Sequence, residues 1–257
     1  MGLNTCASAN EISVSLTTQT LTEESINLTV LIENIGGDSI FNIEAFPLTS
    51  TIFSINGSLF LENLNPGASH EEIFSIFLNK SILPGKYPIV FLVTYYDKMY
   101  DKYTLYAKHL LTYVDGFDSL IAGSLNNLNL DKNQEGTLNI IVSNLENNYK
   151  EIDVNLYLSE EFKTTTKNIT LIADSINNYF VNFIVKAPEF PSGEEYATLA
   201  SLEYDLGGYH YCTFAESNIV VFQQNEIEEK SNILIIFVLI YVALLMIYIY
   251  LKFGGKK

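Results

Sequence analysis

From Ile26 to Glu33 the chain alternates: Ile26, Leu28, Val30 and Ile32 stand at every second position, with Asn27, Thr29, Leu31 and Glu33 between them. A period of two places the first set on one face of a half-buried β-strand and the second set on the other. Asn34-Ile35-Gly36-Gly37 then turns the chain. About 110 residues later the same events recur, a spacing that marks an internal repeat. There Leu138, Ile140 and Val142 alternate with Thr137, Asn139, Ile141 and Ser143 ahead of Asn144. The following strand repeats as well, with Phe41, Ile43 and Ala45 answered by Ile152, Val154 and Leu156. Leu83-Pro84-Gly85 is matched by Phe190-Pro191-Ser192-Gly193, and each leads into a strand ending in the same pair, Tyr96-Asp97 and Tyr204-Asp205.

No stretch before residue 225 carries helical periodicity. Each copy has alternating segments for about seven strands in two packed sheets, the rhythm of an immunoglobulin-like sandwich without its cysteine pair or core tryptophan. Prolines at 47, 66, 84, 88, 188 and 191 are expected in turns or at strand edges, where a missing N–H does no harm. The expected fold class is all-β: two tandem immunoglobulin-like β-sandwich domains plus one C-terminal transmembrane helix. The partition is a short N-terminal piece (1–9), a first sandwich (10–114), a joint (115–119) and a second sandwich (120–222). A polar stalk (223–232), a membrane-spanning segment (233–251) and a tail (252–257) complete it.

The span is read from Ile233 to Leu251, which hold no charged residue. A helix of that length is about 28 Å long, close to the hydrocarbon thickness of a bilayer. Lys252, Lys256 and Lys257 follow the run and only Lys230 closely precedes it, which orients the tail to the cytoplasm and the sandwiches to the outside. An outward body needs export. Residues 1–9 have no apolar core of a leader but end in Ala7-Ser8-Ala9, the small-x-small pattern of a cleavage site, so a truncated start is one reading. A tail-anchored protein with its bulk inside is the other.

Formal net charge is −16, and every Asp and Glu precedes the apolar run. Such a body repels nucleic acid and anionic lipid and attracts cations or basic partners. Catalytic inventory is thin: three histidines, two cysteines and no nucleophile motif, so neither an enzyme nor a cofactor is expected. His210 and Cys212 would share a strand face but offer only two ligands, short of a zinc site. His70-Glu71-Glu72 reads as solvated surface. A hydrolase with dispersed carboxylates would need two carboxyl groups roughly 5–10 Å apart in a cleft. Asp97, Asp101, Asp115 and Asp118, flanking the joint, are weak candidates for calcium, set against Asp115-Gly116 as a simple turn. Cys6 and Cys212 either pair or leave Cys212 as a buried thiol. Asn27, Asn56, Asn79 and Asn168 stand in Asn-x-Ser/Thr sequons, candidate glycosylation sites on an exported chain. Tyr95, Tyr96, Tyr100, Tyr103 and Tyr106 suit strand packing better than a carbohydrate platform.

The phrase Leu28-Thr-Val-Leu-Ile-Glu-Asn-Ile-Gly-Gly37, followed by a strand and by Leu64-Asn65-Pro66-Gly67, resembles the CARDB-type and related surface-layer-associated β-sandwich domains of archaeal envelope proteins. The second copy has Glu146-Asn147-Asn148 in place of the glycines and no Pro-Gly turn. What the resemblance implies is a non-enzymatic, membrane-anchored envelope protein engaged in adhesion or surface-layer association, with envelope proteins or glycans as partners. The alternative is an accessory membrane subunit of a secretion, glycosylation or surface-assembly complex.

Overall fold

A computed structural model describes residues 5–8, 11–20, 25–48, 52–78, 82–114, 116–191 and 195–222, with side chains from residue 11 onward. The first repeat supplies β1 (Thr5–Ser8), β2 (Ile12–Thr20), β3 (Ser25–Asn34), β4 (Ile40–Leu48), β5 (Phe53–Asn56), β6 (Leu59–Leu64), β7 (Ser69–Leu78), β8 (Gly85–Tyr96) and β9 (Lys102–Tyr113). The second supplies β10 (Ile121–Leu125), β11 (Leu128–Asp131), β12 (Glu135–Asn144), β13 (Lys150–Tyr157), β14 (Lys163–Thr164), β15 (Asn168–Ala173), β16 (Asn177–Lys186), β17 (Glu195–Leu206) and β18 (Tyr209–Phe222).

One sheet of the first sandwich runs β1-β2-β3-β7-β5, and its counterpart in the second runs β10-β12-β16-β14. The facing sheets are β6-β4-β8-β9 and β15-β13-β17-β18, so the two copies share one strand plan. Alternation dictates the cores. Ile26, Leu28, Val30 and Ile32 are buried in the first, as are Leu138, Ile140 and Val142 in the second.

The plan is locked by a buried asparagine at the end of β3 and again at the end of β12. Asn34 Nδ2 donates to the carbonyls of Asp38 and Leu64, each at 2.8 Å, and its Oδ1 accepts the Gly36 N–H at 3.0 Å. The Asn-Ile-Gly-Gly and Leu-Asn-Pro-Gly segments therefore meet in space, and the Gly67 N–H donates to Asn34 O. Asn144 makes the equivalent bonds to Asn148 O, Ser175 O and the Glu146 N–H, which is how the second copy keeps the turn without the glycines or the proline.

The fold class requires a correction. Every regular element among the described residues is a strand, and no helix there is long and apolar enough to cross a membrane, so the described fold is all-β and does not include the transmembrane helix read from the apolar run. Residues 223–257, including the 233–251 run and Lys252, Lys256 and Lys257, lie outside the described residues.

A further departure is the union of the two sandwiches. The β8-bearing and β18-bearing sheets join into one nine-stranded sheet through a parallel bridge between Gly85 and His210. Val90, Leu92, Tyr106 and Leu199, with Phe46, Leu48, Tyr157 and Phe214 around them, form a third apolar cluster from the outer faces of both sandwiches. Lys108 of β9 pairs with Glu216 of β18 and lies 5.6 Å over the Phe214 ring. The joint is pinned as well: Lys86 Nζ sits 2.5 Å from Asp118, Phe117 meets the Tyr209 ring edge-on at 5.0 Å, and the Leu120 N–H donates to Tyr204 Oη.

Candidate functional site

Pro88 lies inside β8, not at a turn. It falls between Gly85, which pairs with His210, and Val90, where the ladder to β4 begins. Pro88 stands opposite Leu110 in the β8–β9 ladder, and on the other edge of β8 it falls in the gap between the β18 and β4 ladders, where no N–H is called for. Beside it a cleft of about 970 Å³ opens between the sandwiches. Leu48, Pro88, Leu92 and Tyr106 of the first repeat make one wall, and β13 and β17 of the second carry Glu151, Asp153, Asn155, Glu203 and Asp205 on the other.

His210 closes the inner end. Its ring stacks on Tyr87, centroids 4.2 Å apart and planes within 4°. Nδ1 donates to Asp205 Oδ1 at 2.7 Å. Nε2 is buried and faces Glu203 Oε2 at 3.5 Å, an ion-pair distance when the ring is protonated. Glu203 Oε1 is oriented by Asn155 Nδ2 at 2.9 Å and Ser201 Oγ at 2.8 Å. Burial works against the imidazolium, but the hydrogen bonds and charges of Glu203 and Asp205 outweigh it and raise the His210 pKa above its usual value. Burial and the nearby Asp205 charge push the Tyr87 hydroxyl up to about 12, so it stays protonated and donates to Leu83 O.

A histidine whose pKa is higher folded than unfolded contributes stability that is fully present below its unfolded value of about 6.5 and is lost as pH rises through the folded value. His210→Phe keeps a ring for Tyr87 but cannot titrate. The wild type's advantage in melting temperature over that variant is therefore expected to be greatest near pH 5.5 and to shrink towards pH 8. A difference flat across this range would refute the assignment. His109 cancels in the comparison: burial lowers its pKa, and its Nε2 is 3.1 Å from Thr18 Oγ1.

The calcium candidates do not converge. Asp97 Oδ1 accepts the N–H groups of Met99 and Asp101, closing the β8–β9 turn. Asp118 is paired with Lys86 near the other end of β8, roughly 33 Å of strand away. Asp115 lies outside the described residues. No three His, Cys, Asp or Glu among the described residues are grouped to hold a metal. Cys212 is a free thiol, and burial pushes its pKa well up; the Cys6 side chain lies outside the described residues. Asn27 is half-buried on the outer face of β3, Asn56 and Asn168 are exposed, and Asn79 lies outside the described residues. Tyr95 and Tyr106 are buried, Tyr95 stacked on Tyr103, while Tyr100 stacks with Phe41. His70 sits 3.6 Å from Glu72 on β7.

By fold the described residues form an all-β protein of two β-sandwiches sharing a sheet. No family model matches it. No curated protein matches it either. Several solved structures show a distant likeness. The GAE domain of yeast GGA1 is 12% identical with a TM-score of 0.35, covering 42% of this chain and 98% of that one. The GAE domain of GGA2p from Saccharomyces cerevisiae is 13% identical with a TM-score of 0.33, covering 44% and 100%. A protein of unknown function from Porphyromonas gingivalis W83, 13% identical with a TM-score of 0.33, covers 82% and 99%. Likeness at this level transfers no activity.

Proposed function

We propose that this chain is a non-enzymatic binding or scaffold protein of the cell envelope, displaying its two sandwiches outside the cell. The observation that carries the reading is the fusion of both sandwiches through the Gly85–His210 bridge and the apolar cluster beside it, which makes one stiff body with a lined cleft. Stiffness over two domains suits spacing and presentation. A strong negative charge keeps such a body soluble and selects basic partners. Exposed sequons at Asn56 and Asn168, and the resemblance of residues 28–37 to CARDB-type domains, favour the envelope.

Protease shaving of intact cells, with mass spectrometry of the released peptides, tests the location. Peptides from both repeats are expected without lysis, with added mass on Asn56 or Asn168 where glycans are attached. Release only after lysis would remove the envelope assignment. Co-purification in a stable membrane complex would favour an accessory subunit instead.

A further inference from the structure

We propose that the cleft between the sandwiches binds an extended, lysine-bearing peptide segment of a partner, its ammonium groups lying along Glu151, Asp153, Glu203 and Asp205. This rests on the reading of the chain as a binding protein and names the chemistry of what it binds.

The argument begins with register. Asp153 of β13 stands directly opposite Glu203 of β17, and continuing the antiparallel ladder by two places sets Glu151 opposite Asp205. All four line the cleft. Like charges facing each other across a ladder are destabilising; His210 of β18 offsets part of this for Glu203 and Asp205, and the packing of the sheet gives no such reason for Glu151 and Asp153. On β17, Glu203 and Asp205 share the imidazole of His210, with Asn155 and Ser201 also orienting Glu203; on β13, Asp153 is held by an uncharged donor, Thr170 Oγ1, at 2.7 Å. Hydrogen bonds from neutral groups fix the direction of a carboxylate and leave its charge in place. Lys167 and His210 are the basic residues among the lining residues, against five carboxylates, Glu151, Asp153, Glu160, Glu203 and Asp205, so the lining keeps a negative balance.

The ligand's charge is distributed. A single metal ion would need three or more groups around one point, and the described residues hold no such cluster. Carboxylates two positions apart on one strand are instead about 7 Å apart, the spacing of alternate side chains in any extended chain. A peptide running along β13 and β17 thus meets a carboxylate with every second residue. Its other face meets Leu48, Pro88, Leu92 and Tyr106, which suit aliphatic side chains and lysine stems. The cleft volume of about 970 Å³ lies at the upper end of ligand pockets, roughly 300–1,000 Å³, so it admits a segment longer than one or two residues.

The test is titration of the full chain with a fluorescent seven-residue peptide alternating Lys and Leu, beside a Glu-Leu counterpart and calcium chloride. Saturable 1:1 binding of the Lys-Leu peptide alone is expected, weakening with salt. Combining Glu151→Gln, Asp153→Asn, Glu203→Gln and Asp205→Asn is expected to weaken it by about tenfold or more, and Glu71→Gln with Glu72→Gln on β7 by much less. A photo-crosslinker on the peptide should label the Leu92 and Tyr106 region of the unmodified chain, a readout that needs no variant to fold. No Lys-Leu binding, equal weakening in both variants, labelling elsewhere, or stoichiometric calcium binding lost with the four carboxylates would each overturn the proposal. Because the titration uses purified protein, it fails or succeeds independently of where shaving places the chain.

Discussion

Replacing Gly85 by alanine is expected to uncouple the two sandwiches, turning one cooperative unfolding transition into two. Gly85 has φ +154° and lies against the second sandwich: a Cβ there would stand 2.1 Å from His210 O and 2.7 Å from His210 N. The obstacle is backbone on a paired strand, so no rotamer relieves it. Either β8 or β18 must move, which breaks the Gly85–His210 bridge and the 2.8 Å hydrogen bond from the His210 N–H to Pro84 O. Forced backbone displacement in a packed region costs about 1–3 kcal/mol. For a body of this size that corresponds to a fall of about 2–12 °C in the first melting midpoint. The chain has no tryptophan, so calorimetry and far-ultraviolet circular dichroism are the suitable probes. Proteolysis should also newly cut residues 115–119, where Lys86–Asp118 and Phe117–Tyr209 hold the joint closed. One undivided transition within a degree of the wild type would show that the apolar cluster alone couples the sandwiches.

That coupling left no trace in the periodicity. Alternation from Ile26 to Ile32 and from Leu138 to Val142 was enough to read strands, faces and the repeat, because each core side chain reports its own burial. A bridge of one residue pair makes no pattern, and Gly85 after Pro84 reads simply as a turn. Asp97 and Asp118 suggested a shared site because they flank the joint in sequence. The β8–β9 hairpin carries one to the far end before the chain returns to the other. The cleft was half legible: Glu151-x-Asp153 and Glu203-x-Asp205 each put two carboxylates on one strand face. What the sequence could not disclose was that β13 and β17 are neighbours and that the first sandwich walls them in.

Asn144→Ala is expected to destabilise the chain by about 3–5 kcal/mol, well beyond the cost of about 1–3 kcal/mol for Asn34→Ala. Both asparagines are 1% exposed and make matching backbone bonds, so the difference comes from what stands beside them. At the head of β4 the first repeat has Ile40, fully buried; at the head of β13 the second has Lys150, 1% exposed. Lys150 Nζ donates to Asn144 Oδ1 at 2.9 Å, lies 3.7 Å from Glu146 and sits 5.9 Å over the Tyr204 ring. Removing the Asn144 amide takes a hydrogen bond from a buried ammonium as well as from two carbonyls and the Glu146 N–H, whereas Asn34→Ala takes one from two carbonyls and leaves the Gly36 N–H its bond to Glu11 O. Lys150→Ile restores the arrangement of the first repeat and lets Glu146, partly exposed already, turn to water. It is expected to be neutral or stabilising, within about 1 kcal/mol of the wild type, and in that background Asn144→Ala should cost no more than Asn34→Ala does. Denaturant unfolding of the three single variants and the Asn144–Lys150 double variant gives the coupling energy directly. Additive costs would mean that Lys150 takes its support from Glu146 and Tyr204, and that the asparagine is a backbone clasp of the same kind in both repeats.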